Sequence, residues 1–258
     1  MVTILFHDTV FGPIHSRRLG VSLGINLMPN DGKVCSFDCL YCEAGYNAQG
    51  AGTDGISSRC EVRDCLEKKL QAMHANNEHL DVITFSGNGE PTLHPDFLGV
   101  VNDVIELRNR YFPEVKISVL SNSTQIDRPD VVEALKMVDN NILKLDSAIE
   151  TTMRTIDRPA SRHFTVKKVV EWLKQFAGQC AIQTMMTRGC HDGVAFDNTT
   201  AEEVAALADA YCEIRPLEVM LYSLDRPTPE QNMEKVERQE LEAIAEVFRS
   251  RGIKVQVN

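Results

Sequence analysis

Three features of the sequence predict an α/β fold built on a mostly parallel sheet. Aromatic residues make up only 6% while Leu, Val, Ile and Ala are plentiful, the aliphatic profile of strands covered by helices rather than of a β-sandwich. After residue 60, apolar β-branched runs alternate with amphipathic segments at a spacing of about 30 residues, the period of repeated βα units. No Gly/Ser linker or low-complexity stretch divides the 258 residues, 43% of which are hydrophobic, so one domain with a substantial core is expected over 1–258.

Taken in order, the apolar runs predict strands over 21–27, 82–86, 116–120, 141–146, 181–186 and 218–222. Amphipathic segments predict helices over 61–76, 96–110, 129–138, 164–176, 200–212 and 237–250, and a terminal strand is expected over 253–257. Pro95-Asp96 and Pro129-Asp130 open two of the helices, and Thr199 with Glu202 and Thr200 with Glu203 offer overlapping capping boxes. Residues 1–30 read as an N-terminal extension and first strand, 31–60 as a cysteine-bearing loop, and 61–258 as the remaining βα units. Six such units fall short of the eight that close a barrel, which points to a partial, TIM-like (β/α)6 barrel with an open side.

Lys and Arg number 27 against 37 acids, a formal charge of −10 with no long basic run. That balance does not indicate nucleic-acid binding, although Arg17-Arg18 leaves room for a local basic patch. The opening MVTILFHDTV lacks the basic and apolar regions of a signal peptide, and no run approaches the roughly 18 apolar residues of a membrane span. A cytoplasmic location without membrane partners is expected. Cysteines there stay reduced, so a tight group of them reads as metal binding or catalysis before it reads as a disulfide framework.

Cys35, Cys39 and Cys42 form that group, in a loop after the first predicted strand, with intervals of three and two residues. Thiolates are soft donors suited to iron–sulfur clusters, and a short loop can wrap three of them around one cubane. The fourth iron then has no protein ligand and is open to chelation by an amine and a carboxylate. A structural zinc site would require a fourth ligand, and none stands at the usual spacings. After the second predicted strand, Gly87-Asn88-Gly89-Glu90-Pro91-Thr92 gives a glycine turn ending in an acid. It allows close backbone approach at the strand end where barrels place ligands, while Glu90 is equally suited to capping the next helix. Later strand ends offer Asn122, Asp146 and Ser147, with Asp146 also able to pair with Lys144. Cys60, Cys65, Cys180, Cys190 and Cys212 form no second compact group, so an auxiliary cluster is not expected.

The CxxxCxxC loop, with Tyr41 before its third cysteine, resembles the signature of the radical S-adenosylmethionine (SAM) superfamily. The resemblance implies a partial barrel, a [4Fe–4S] cluster on Cys35, Cys39 and Cys42, and Tyr41 beside the adenine of SAM. Gly89-Glu90 is similar to the second half of the superfamily's GGE motif, which receives the methionyl ammonium; Asn88 replaces the first glycine. The resemblance further implies polar contacts to SAM from Gly87, Asn122, Asp146 and Ser147, and a one-electron donor such as flavodoxin or ferredoxin. The run from Phe11 to Asn26, and Leu221-Tyr222-Ser223-Leu224-Asp225-Arg226-Pro227, look like a subgroup related to wyosine-base synthases. That subgroup's second cluster has no counterpart upstream of Cys35. The expected chemistry is reductive cleavage of SAM to a 5′-deoxyadenosyl radical that abstracts hydrogen from a substrate. Modification of tRNA bases and activation of a glycyl-radical enzyme both stay open, with Arg17, Arg18 and Arg226 as candidate substrate-facing residues. The alternatives from other classes are an iron–sulfur electron carrier that does not turn over SAM and a structural zinc protein.

Overall fold

A computed structural model gives the fold and describes residues 4–16 and 19–258. Its main sheet has eight strands: β1 (Val10–Ser16), β2 (Gly20–Ile25), β3 (Val82–Phe85), β4 (Lys116–Ser121), β5 (Asn140–Lys144), β6 (Cys180–Met185), β9 (Glu218–Tyr222) and β11 (Val255–Val257), side by side in that order. From β2 onward every neighbouring pair is parallel, and β1 alone runs antiparallel. Among the described residues no ladder joins β1 to β11, so the barrel stays open.

The helices α1 (Arg59–Ala75), α2 (Phe97–Tyr111), α3 (Pro129–Met137), α5 (Val166–Leu173), α6 (Ala201–Ile214) and α7 (Arg238–Ser250) lie where the amphipathic segments place them. The terminal strand expected over 253–257 forms as β11. Sequence periodicity did not reveal β1, the short helix α4 (Glu150–Ile156), or a small sheet in which β7 (Thr187–His191) lies between β8 (Val194–Asp197) and β10 (Met233–Lys235). The strands of the small sheet, TRGCH, VAFD and MEK, are short and carry no apolar β-branched run to stand out from loops.

Local chemistry sets the boundaries. Asp96 accepts from Gly99 N to cap α2, and Pro129 occupies the first position of α3, where its missing N–H costs nothing. At α6 only Thr200 caps, because the Thr199 hydroxyl donates to Asp197 and the Glu203 carboxylate turns away to Ser147. A full capping box forms instead at α1, between Ser58 and Glu61. β2 stops at Ile25, where the Asn26 amide folds back, accepting from Met28 N and donating to Met28 O.

Alternation within the strands separates two environments. Leu23, Ile25, Ile83, Phe85, Ile117, Val119, Ile182 and Val219 are buried beneath the helices in one large apolar cluster. The opposite face carries Ser22, Thr84, Gln183, Leu120, Ile142 and Met220 around a cavity of about 460 Å³. The outer layer is also held by charge: Asp103 of α2 accepts from Arg59 Nε (2.7 Å), Arg59 Nη2 (2.9 Å) and Arg63 Nη1 (3.1 Å) of α1. The hydrogen bonds from Arg59 hold the Asp103 carboxyl below its ordinary 3.8. A depressed carboxyl stabilises the fold above its unfolded value, and the contribution is lost as pH falls through the native one. We expect Asp103→Asn to cost about 1 kcal/mol at pH 7. In urea denaturation the gap from wild type should close as the pH is taken below about 4; a gap that persists there would show that packing, not charge, is lost. Among the described residues no helix is long and apolar enough to cross a membrane.

Candidate active site

The cysteine loop and the glycine turn are built as one unit. Val34 N donates to Asn88 O (3.0 Å) and Glu90 N donates to Val34 O (3.1 Å), so the residue before Cys35 is clipped to the turn on both sides of Gly89. This junction requires glycine. Gly89 has φ +148°, and a Cβ there would lie 1.8 Å from Val34 O; Gly87 has φ +138°, and a Cβ would lie 2.5 Å from Asn26 Oδ1.

Hydrogen-bond donors converge on the loop's sulfurs. Phe37 N and Asn122 Nδ2 each reach Cys35 Sγ at 3.5 Å, and Lys144 Nζ reaches Cys39 Sγ at 3.5 Å. Cys39 Sγ itself donates to Asp157 Oδ1 at 3.7 Å. Burial, reinforced by the Glu90 charge, pushes the Cys35 thiol up to about 11, and burial raises Cys39 well above its ordinary value. Ligation to iron needs the thiolate, so metal binding here releases protons. Among the described residues no three His, Cys, Asp or Glu side chains converge as they would on a single metal ion. A cubane differs, because its thiolate ligands attach to different irons at different corners. Three thiols on one short loop, with an amide N–H, a carboxamide and an ammonium aimed at their sulfurs, fit such a cluster.

A buried charge cluster backs Cys39. Lys144 Nζ, at the end of β5, lies 3.3 Å from Asp146 Oδ2, 3.6 Å from Asp157 Oδ1 and 4.4 Å from the centre of the Tyr41 ring. It also bonds the Tyr41 hydroxyl, which in turn donates to Asp146. Burial alone would lower the lysine, but the acidic groups facing it, Asp146 first and then Cys39 and Asp157, outweigh burial and hold the ammonium well above its ordinary pKa. Burial, then the charge of Asp146, raises the Asp157 carboxyl well above its ordinary range. The second oxygen of Asp146 accepts from Met185 N at 2.9 Å.

Glu90 is 2% exposed and saturated with donors: Asn122 N (2.6 Å) on one oxygen, Thr92 N (3.1 Å) and Thr92 Oγ1 (2.5 Å) on the other. It caps the 3-10 turn Pro91–Leu93, and burial raises its carboxyl despite these bonds. Asn122 links the two motifs, its backbone on Glu90 and its amide on Ser36 and Cys35. The Asn88 side chain is spent elsewhere: Nδ2 donates to Phe6 O (2.7 Å) and Pro29 O (2.8 Å), and Oδ1 accepts from Phe6 N (2.8 Å). Ser147 donates to Glu203 Oε2 (2.7 Å) of α6 and accepts from Ile149 N. These two side chains fasten the N-terminal segment and α6, and only the backbone of Asn88 takes part in the junction with Val34.

Arg226 pairs with Glu43, the residue after Cys42, at 2.5 Å, and both line the barrel cavity. Arg17 and Arg18 lie outside the described residues. Of the remaining cysteines, Cys180 is buried, Cys60, Cys65 and Cys212 are exposed, and Cys190 is on β7; none lines that cavity. Sequence reasoning missed Asp157, Asn26 and Asn198, the last of which holds Asp146 O and Met185 O with its amide. Asp157 meets Cys39, Asn26 accepts from Asn88 N and Asn198 meets Asp146, each pairing far along the chain, and no local motif marks them.

The family model described as "Radical SAM superfamily" matches residues 30–192, well over half of the 258-residue chain. Among curated proteins, the chain is 30% identical to a "UPF0026 protein" of Methanocaldococcus jannaschii over 243 residues, covering 92% of this chain and 70% of the relative. It is 29% identical over 223 residues to a "UPF0026 protein" of Helicobacter pylori (strain J99), covering 85% and 67% respectively. Among solved structures, a radical SAM methyltransferase from Sphaerobacter thermophilus superposes with a TM-score of 0.67 at 14% identity, over 92% of this chain and 65% of that one, a likeness of fold. The motif-bearing half of the chain falls inside the matched region, and the chain belongs to the radical SAM superfamily, whose enzymes use a [4Fe–4S] cluster and S-adenosylmethionine.

Proposed function

We propose that the chain, as a single radical SAM domain, cleaves SAM reductively at Cys35, Cys39 and Cys42 and directs the resulting radical at a substrate held in the barrel cavity. When bound, the cluster and SAM supply one-electron cleavage of the S–C5′ bond and a 5′-deoxyadenosyl radical able to take a hydrogen atom. The observation that carries the reading is the clip between Val34 and Gly89, which fixes three sulfurs beside a backbone-lined turn at the C-terminal ends of parallel strands.

In this reading Cys35, Cys39 and Cys42 hold three irons. The backbone of Gly87, Asn88 and Gly89 and the carboxylate of Glu90 receive the methionyl ammonium, which would exchange for one of the donors now on Glu90. Asn122 sets the distance between turn and loop. Tyr41 and Asp146 form the polar wall on the nucleoside side, and Ser147 steadies the backbone after Asp146 by holding α6. Radical chemistry depends on orientation and exclusion of water more than on strong acids or bases. The cavity of about 460 Å³ suits this, being within the range of small-molecule sites. Its walls are mainly hydroxyls, an amide and aliphatic side chains, with the Arg226–Glu43 pair at one side.

The test is anaerobic reconstitution with iron and sulfide, followed by SAM and dithionite. 5′-Deoxyadenosine should appear in an amount that tracks cluster content. An intact cluster that leaves SAM uncleaved would make the chain an electron carrier, and an iron-free protein holding one zinc would make it a structural zinc protein.

A further inference from the structure

The segment 154–168 is the most basic stretch of an acidic protein. It holds Arg154, Arg158, Arg162, Lys167 and Lys168 against one carboxylate, Asp157, which is buried. Its net charge of +4 (five cations less one acid) in a chain of −10 leaves −14 for the other residues. Arg158 is partly neutralised by Asp38 and Arg154 by Glu150. Arg162, Lys167 and Lys168 are exposed, and among the described residues no acid pairs with them. Lys167 and Lys168 sit in the first turn of α5, which contains no acid, at the end of a helix where the macrodipole disfavours cations. Helix stability therefore gives no reason for their position.

This stretch lies directly along the cysteine loop. Asp38 N donates to Asp157 O (3.0 Å), Leu40 N to Ile156 O (3.0 Å), and Ala160 N to Ser36 O (2.9 Å), so 156–160 runs beside 36–40 residue by residue. Phe164 packs edge-on against Phe37, between Cys35 and Cys39, with ring centres 5.3 Å apart. Arg154 donates to the carbonyls of Arg162 and Phe164, and Lys168 to that of His163, which fixes the turn carrying the free charges.

We propose that this basic face docks an acidic one-electron carrier protein that delivers its electron to the cluster across residues 36–40 of the loop. The proposal rests on the preceding reading that the loop holds a cluster. The carrier is oxidised by one electron and the cluster reduced by one, with no bond made or broken. A nucleic acid is the weaker occupant. A nucleic-acid substrate must reach the barrel cavity, which none of these five cations lines, and a polynucleotide long enough to span both would have to cross a protein whose other residues carry a formal charge of −14.

The test follows cluster bleaching in the reconstituted protein on anaerobic mixing with reduced flavodoxin, and separately with photoreduced deazaflavin, a small reductant that needs no docking face. With flavodoxin, the wild-type second-order rate should fall steeply as KCl is added. In the triple variant Arg162→Glu, Lys167→Glu, Lys168→Glu it should drop at low salt by about tenfold or more and lose most of its salt dependence. Deazaflavin rates should be equal. Should the triple variant misfold, Arg162→Gln and Lys167→Gln singly carry the same comparison with smaller drops. A wild-type flavodoxin rate indifferent to salt, or unchanged in the variants, overturns the proposal. So does binding of tRNA that the variants lose while flavodoxin rates stay constant. Bleaching reads cluster reduction alone. Normal reduction without 5′-deoxyadenosine would therefore sink the enzyme reading and leave the docking face standing.

Discussion

Cys39→Ala is expected to lower 5′-deoxyadenosine formation by well over a hundredfold and to strip most of the iron from the reconstituted protein. Substituting residues that merely surround a metal ligand commonly costs 10–100-fold, and Cys39 is placed as a ligand itself. Its loss also removes one partner from a buried ammonium: Lys144 faces Cys39 Sγ at 3.5 Å and would keep Asp146, Asp157 and the Tyr41 hydroxyl. The control is Cys180→Ala. Cys180 lies at the start of β6, fully buried beneath the helices, with its thiol pushed up to about 12 by burial. There a small apolar side chain is lost, at a cost of about 1 kcal/mol, and iron content and turnover should be unchanged. Iron analysis, visible absorption and the cleavage assay on both variants check the pair. Retention of a full, redox-active cluster by Cys39→Ala would remove it from the ligand set.

Gly89→Ala should be the most damaging substitution in the molecule that removes no functional group. The added methyl would lie 1.8 Å from Val34 O at a φ of +148°. Such backbone costs an L-residue about 1–3 kcal/mol before any clash is counted. The clash is with a carbonyl locked by Glu90 N, so relief requires the loop and the turn to separate. We expect a loss of about 3 kcal/mol or more in urea denaturation, together with poor cluster retention despite three intact cysteines. Gly178→Ala is the comparison: its φ is also positive, at +73°, but a Cβ there meets nothing within 4 Å. It should cost only the backbone strain and leave the cluster in place. Equal effects of the two substitutions would mean that conformation, and not the clip between the motifs, is what Gly89 provides.

How much was legible in advance depended on the range of the interaction. The main parallel strands and their covering helices could be read because alternation and helical periodicity are local, and because Asp96, Pro129 and Thr200 mark helix starts with their own side chains. The antiparallel β1 could not be read, since its pairing partner and not its own pattern makes it a strand. The small sheet was hidden for the same reason: β10 joins β7 across more than forty residues. At the site, Cys35, Cys39 and Cys42 were visible as a spacing, and Gly87 and Gly89 as a turn. Asn88 and Ser147 shared the look of pocket residues, yet their hydrogen bonds go to Phe6, Pro29 and Glu203. Sequence position fixes which strand end a side chain leaves from, but not which neighbour it finds there.

By itself the sequence determined the family, the covered parallel sheet, and three thiols within eight residues next to a glycine turn, because each of these is written in short-range spacing. Tertiary structure alone decided that Val34 joins the two motifs, that Lys144 and Asp157 stand behind Cys39, and that a basic ridge lies along the loop. Those features arise where segments about 50 to 120 residues apart come into contact. Burial and hydrogen bonding act there on distances in space, which no spacing along the chain records.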